Sequence, residues 1–412
     1  MSELTSGAPA FAAQGDWARA PLSRFLSLNV EVVDVDPEKT YPTVGVLNRG
    51  RGLLYREPMA GSATAYKQLN RIGPDVLVYS RLKAFEGAIT VTPNDLPESF
   101  ASQEFPTFAL TSGADANFFR ILTTMQNMWD ALQEVSKGMG GRRERVKPAD
   151  LLNIVMDIPP LPIQRWIVKI VRAVDEQIAA LDNEAEAAMR VRDGLLGEFT
   201  AVAPSGTKPL GALCAAIGSG PSWAAKDESS VPSEGAWTVV KITNTKPNGS
   251  FDLSELAYVK GLPARTRVIG PTTLVMIRTN GNRTRIGNVY LPPEEVYGAA
   301  VSAFQFILDA TDVQTRDYLY LVLRSPRVQN KMSGAASGST GLGNLAARWL
   351  KTLNIPWPDA EVRKVQVETV KAVDAKIAAI RAEVDCLRSV RGALLSGILN
   401  RTIDIEPAEL GV

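Results

Sequence analysis

Between Gln164 and Phe199 the apolar positions recur in steps of four and three: Ile167, Val171, Val174, Ile178, Leu181, Ala185 and Ala188. Val370, Val373, Ile377, Ile380, Val384, Leu387 and Leu394 keep the same register near the other end of the chain. A narrow stripe of that period is a heptad seam, and it predicts two long helices that each need a partner along their length. At 1.5 Å per residue the first would run roughly 50–55 Å. The two stretches are also nearly the same text, "AVDEQIAALDNEAEAAMRVRDGLL" from Ala173 and "AVDAKIAAIRAEVDCLRSVRGALL" from Ala372, an offset of 372 − 173 = 199. The simplest partner for each helix is therefore the other, and a pair related by a twofold axis across the coil would be antiparallel. The alternative is two amphipathic helices packed on their own domains, but a seam this narrow and long favours the rod. Arg192 and Arg391 interrupt it at equivalent places, where a local opening and a polar registry device both fit.

The repeat continues upstream. Each helix follows a proline-rich lead-in, "DIPPLPIQ" and "NIPWPDAE", which stops the preceding element and starts the helix. "DVLVYSR" matches "TTLVMIR", and "EFPTFAL" lies opposite "AFQFIL". These β-branched and aromatic runs, bounded by turn residues, read as strands. "DANFFRILTTMQNMWDAL" and "TRDYLYLVLRS" read as shorter helices. The fold class is α+β: a first mixed globule over 1–157, a helical region over 158–203, a second globule over 204–354 and a second helical region over 355–412.

The frame is shared, but its loops are not. "GMGGRRERVKP" brings Arg142, Arg143, Arg145 and Lys147 together behind glycines, while Tyr79, Ser80, Arg81 and Lys83 form another polar group in the first half. The second half offers "IRTNGNRTR", with Arg278, Asn280, Asn282, Arg283 and Arg285, and "ASGSTGLGN", with Ser337, Ser339, Thr340 and Asn344. Arginine forks and amides suit guanine and adenine edges, and hydroxyls with free backbone N–H groups suit phosphates. Any one such loop is more commonly a solvated turn. Their placement at matching points of a duplicated scaffold favours two contacts with nucleic acid, held in fixed relation.

Composition narrows the function classes. The net charge of +1 excludes a generally basic coat but not local basic loops. The absence of histidine removes the commonest general base and zinc ligand. Two cysteines, Cys214 and Cys386, fit a reducing compartment, and no apolar run approaches membrane-spanning length. A soluble, cytoplasmic protein of two or three domains is expected. There is no phosphate-binding "GxxxxGK[ST]", and the Pro-Pro pairs sit in "DIPPLP" and "YLPPEE", unlike the Asn-Pro-Pro-Tyr grip of amino-methyltransferases. The expectation is a recogniser with no catalytic residue, metal or cofactor of its own.

The duplicated "IPPLPIQRWIVKIVRAVDEQIAAL" and "IPWPDAEVRKVQVETVKAVDAKIAAI", together with "VYSRLKAFEGA", "EFPTF", "GGRRERVKPADLLNI" and "GSTGLGNL", resemble the specificity subunit of type I restriction–modification systems. The resemblance covers nearly the whole chain from about Trp17. It implies two target-recognition domains, each reading one half of an asymmetric, gapped site in double-stranded DNA, with an antiparallel coil as spacer. It also implies docking of two modification subunits that carry S-adenosylmethionine and methylate adenine. In a restricting complex, two motor-nuclease subunits using ATP and Mg²⁺ would join them. The family's usual "PLPPLxEQ" lead-in reads "PPLPIQRW" in the first copy and "PWPDAEVRK" in the second. Other readings of the same residues are a non-catalytic coiled-coil adaptor, a DNA reader for a lone methyltransferase or another phage-defence assembly, and a nuclease with a carboxylate site.

Overall fold

The computed structural model describes residues 17–136, 145–201, 206–247, 249–338, 341–399 and 402–403. The chain divides into two compact units, one of residues 1–179 with 385–412 and one of residues 180–384, so the boundary falls inside both long helices. No helix among the described residues is long and apolar enough to cross a membrane.

In the first unit the strand Ala18–Pro21 pairs antiparallel with Val155–Ile158, Ala18 opposite Ile158. Inside this clasp lies an antiparallel sheet in the order Ile89–Val91, Val76–Tyr79, Thr107–Leu110, Leu26–Leu28. The runs expected as strands, "DVLVYSR" and "EFPTFAL", supply its two central members, with Phe108 opposite Leu77. A second sheet orders Ser99–Ala101, Gln68–Ile72 and Glu31–Asp34. The helix Ala116–Leu122 is capped by the Asp115 carboxylate, which accepts from the N–H groups of Asn117 and Phe118. Its sequence predicts one helix, but the structure has two. The hydroxyls of Thr123 and Thr124 fold back on the carbonyls of Arg120 and Ile121, each at 2.7 Å, and a new helix starts at Gln126 and ends at Val135. Threonine hydroxyls compete in this way for carbonyls that would continue the helix.

The second unit repeats the plan. Thr207–Pro209 pairs with Asn354–Pro356. The sheet between them runs Cys214–Ser219, Gln305–Ala310, Thr273–Ile277, Val289–Tyr290, with Leu274 opposite Leu308. Strand for strand this is the order of the first unit. A further four-stranded sheet holds Glu228–Ser229, Ala257–Val259, Trp237–Val240 and Ala300–Val301, the last pair parallel. Helices Val313–Leu323 and Pro326–Ala335 complete the unit.

The two long helices are Leu161–Phe199 and Ala360–Leu399. In the first unit Ile167 and Val171, from the start of one, share a core with Leu395 and Leu399, from the end of the other. In the second unit Leu196 and Phe199 share a core with Val367 and Val370. The helices therefore run antiparallel in both. Seam residues Leu181, Ala185, Ile377, Ile380 and Val384 are buried while the flanking positions are exposed, as the heptad reading requires.

The lead-ins reach the same end by different chemistry. Gln164 is wholly buried; its Oε1 accepts from the Asp115 N–H at 2.8 Å, and its Nε2 donates to the carbonyls of Gly113 and Pro159. At the matching point the second copy has Arg363, whose guanidinium lies 4.1 Å from the Trp357 ring centroid and donates to the Pro358 carbonyl. The Tyr318 hydroxyl, in turn, donates to the Pro356 carbonyl at 3.1 Å. A buried amide network is thus replaced by a cation–π stack.

Candidate nucleic-acid interface

In the first globule the strand Val76–Tyr79 runs into a turn in which Lys83 N–H donates to Ser80, and Arg81 N–H donates to the Glu104 carbonyl at 2.9 Å. The Arg81 carbonyl accepts from Val146 N–H at 3.1 Å, which docks the end of the "GGRRERVKP" segment against the "YSRLK" turn. Two loops far apart in sequence thus become one surface. Lys83, Arg145 and Lys147 are exposed on it, and Arg145 pairs with Glu104 at 3.2 Å. Lys147 precedes the short helix Pro148–Leu152, and its N–H donates to Asp150.

Two of the expected contacts are corrected here. Tyr79 is fully buried and its hydroxyl donates to the Val146 carbonyl at 2.9 Å, with burial holding that hydroxyl well above its ordinary pKa. It fixes the Arg145–Lys147 segment rather than facing solvent. Ser80 is also buried and its hydroxyl accepts from Lys83 N–H, so it shapes the turn. Arg142 and Arg143 lie outside the described residues.

The second globule closes in the same way. Arg278 N–H donates to the Phe304 carbonyl at 2.8 Å, and the Arg278 carbonyl accepts from Leu345 N–H at 2.9 Å. The short strand Thr279–Asn280 then pairs with Gly343–Asn344, and Thr279 donates its hydroxyl hydrogen to Asn344 Oδ1 at 2.8 Å. Asn282 accepts from the N–H and hydroxyl of Thr284, which shapes the turn that presents Arg283. Arg283 is exposed and donates to the Gly338 carbonyl at 3.1 Å, and Ser337 bridges to Asn344 through backbone bonds in both directions. The "IRTNGNRTR" and "ASGSTGLGN" segments therefore form one surface, with Ser339 and Thr340 outside the described residues.

Arg285 is the third correction. Its guanidinium turns inward to the Thr245 carbonyl and to the hydroxyl of buried Tyr290, so it ties down a neighbouring turn. Arg278 is half-buried; its Nη1 reaches the Ala303 carbonyl at 3.3 Å, and its Nε has no hydrogen-bond partner among the described residues.

Sequence reasoning missed a cavity of about 750 Å³ beside this surface, bordered by Arg278, Thr279, Asn344, Trp223 and Phe304. Glu228 on its wall accepts from Lys241 Nζ at 2.6 Å and from Trp223 Nε1 at 2.8 Å, and these bonds hold its carboxyl below the usual range. The only signal in the sequence was a pair of isolated aromatics, which carry no pattern.

Residues 36–188 match the sequence profile described as "Type I restriction modification DNA specificity domain". Among solved structures, a chain from "Structural basis underlying complex assembly and conformational transition of the type I R-M system" superposes with a TM-score of 0.63 at 16% identity, over 94% of this chain and 98% of that one. The HsdS subunit of Thermoanaerobacter tengcongensis gives a TM-score of 0.49 at 17% identity, covering 95% of this chain and 98% of its own. The type I S subunit of M. genitalium gives 0.49 at 13%, covering 93% and 96%. No curated protein matches. At these identities the shared property is the fold, and the first of the three carries it. The matched segment takes in the "YSRLK" turn, the described end of the "GGRRERVKP" segment and the start of the first long helix.

Proposed function

We propose that this chain is the sequence-specific DNA-recognition subunit of a type I restriction–modification assembly, each globule reading one half of a bipartite site. The observation that carries this is the repeated closure at Arg81 and Arg278. In each globule a strand-end arginine carbonyl accepts from a residue just past a glycine-rich loop, and two polar segments are joined on one scaffold. The scaffold is common and the exposed side chains differ, which is what two unlike half-sites require. The specificity-domain match over 36–188 supports the same reading.

The long helices set the spacer in this proposal, so the gap follows helix length while the bases follow the loops. Methyl transfer to adenine from S-adenosylmethionine belongs to two modification subunits, and translocation and cleavage with ATP and Mg²⁺ to two motor-nuclease subunits where restriction occurs. The chain itself contributes recognition and no bond-making step.

Methylation mapping of cells that carry the chain with its methyltransferase tests the assignment. A single bipartite adenine-methylated motif is the expected result, and no new motif would overturn it. Inserting four residues between Ala179 and Ala180 should change the preferred gap and leave both half-sites unchanged. An unchanged gap would remove the spacer role.

A further inference from the structure

The cavity of about 750 Å³ in the second globule is built unlike the loops beside it. A reader of an intact groove must protrude, because base edges lie at the floor of the groove. A concavity cannot reach them, so whatever fills it must project out of the DNA. Its volume lies in the range of about 300–1,000 Å³ typical of small-molecule pockets, more than a single methyl group needs.

The chemistry of its wall suits one class of occupant. Trp223 has its only polar group, the indole N–H, fixed by Glu228, so what it leaves to the cavity is apolar ring surface. Lys241 grips the other oxygen of Glu228 and makes this wall a fixed one. Phe304 is 51% exposed on the rim, although the strand that follows it, Gln305–Ala310, is almost wholly buried. Polar groups sit at the same rim. Asn344 uses Oδ1 for Thr279, and among the described residues its amide N–H groups have no other partner. Arg278 borders the cavity too, its half-buried guanidinium held by Nη1 donating to the Ala303 carbonyl. Aromatic surface with a few donors is the lining that binds a flat heteroaromatic ring.

We propose that this pocket takes one nucleobase drawn out of the duplex in the second half-site, against Trp223 and Phe304, with Arg278 and Asn344 at its polar edge. The inference rests on the DNA-reader assignment above. Extruding a base carries an unpairing cost, lowest where the base is already mispaired. Weakening the pair at the extruded position should therefore tighten binding, whereas a protein that reads only paired bases gains nothing from a mismatch.

The test uses the full chain in complex with its methyltransferase and a duplex bearing the mapped site. The opposite strand is altered one position at a time through the second half-site. At one position the mismatch should tighten binding fivefold or more. Phe304→Ala, at an exposed side chain that folding does not need, should abolish that gain and weaken the paired duplex roughly fivefold or more. Trp223→Ala should do the same. If no mismatch tightens binding, or the gain survives both variants as it would at an adenine drawn into the methyltransferase, the pocket has no such role. Failure of the unaltered complex to prefer its mapped site would instead overturn the reader assignment, and the pocket with it.

Discussion

Arg391 grips Asp175 with two prongs, Nε to Oδ1 at 2.6 Å and Nη2 to Oδ2 at 3.0 Å, joining the two long helices within the first unit. The repeat places the same partners in the second unit, where Arg192 lies 3.6 Å from Asp374. Each arginine that interrupts the heptad seam thus faces the aspartate that closes the "AVD" of the other copy, Arg391 with two hydrogen bonds and Arg192 at ion-pair distance while it donates to Asp193. Both members of the first pair are partly exposed, 27% and 47%, so the interaction is modest despite its geometry. A double-mutant cycle on Asp175→Ala and Arg391→Ala should give a coupling of about 0.5–1 kcal/mol in chemical unfolding, shrinking at high salt.

Asp374 carries a further load. Arg324, at the end of helix Val313–Leu323, donates to it at 2.6 Å and is only 19% exposed. Asp374→Ala would leave that guanidinium without its carboxylate in a largely dry place. It should cost about 2–3 kcal/mol, clearly more than Asp175→Ala, in urea or thermal unfolding.

Gly87 and Gly287 occupy the same point of the two globules, with φ of +68° and +87°. A Cβ at Gly87 would come within 2.7 Å of Trp129 Cδ1, and one at Gly287 within 2.8 Å of Met332 Cβ. Alanine at either should destabilise its globule by about 2–3 kcal/mol, from left-handed strain and overpacking together, read as a lowered unfolding midpoint.

Arg283 and Arg285 should separate binding from folding. Arg283→Ala removes an exposed side chain and should weaken binding or relax specificity in one half-site by about 1–3 kcal/mol, with an unchanged melt. Arg285→Ala strips the Thr245 carbonyl and the Tyr290 hydroxyl of their donor and should lower the unfolding midpoint first. DNA titration beside thermal unfolding distinguishes the two.

The helices and the duplicated sheets were legible because periodicity and self-comparison report on burial and on backbone frame, whereas the docking of one polar loop on another within each globule was not. The inward turn of Arg285 and the burial of Tyr79 were not, since a polar side chain in a loop looks alike whether its partner is a base or a carbonyl across the fold. The Trp223 and Phe304 pocket was hidden for another reason. Its walls come from segments about eighty residues apart with no shared period, brought together by the parallel pairing of Val240 with Val301 and by Gly220 N–H donating to the Gln305 carbonyl.

The two thiols should differ sharply. Cys386 is exposed, whereas Cys214 is buried and its thiol is pushed up to about 12, chiefly by burial with Asp309 adding. At pH 8 a thiol reagent should modify Cys386 quickly and Cys214 only on unfolding. A raised thiol pKa favours the protonated folded state, so this stabilisation is complete below the ordinary thiol pKa near 9 and is lost as pH rises towards about 12. The unfolding midpoint should fall across that interval, and Cys214→Ala should flatten the fall.

Each globule is closed at its base by a short antiparallel clasp, Ala18–Pro21 with Val155–Ile158 and Thr207–Pro209 with Asn354–Pro356. Incoming and outgoing chain are therefore neighbours, and the globule between them is held by this two-strand stem and by its packing on the long helices. A module attached in that manner can be exchanged for another of different length and loop sequence, provided the stem register and the face packed on the helices are kept. New specificities would then arise by grafting whole heads rather than by slow revision of single contacts, with the helices left untouched.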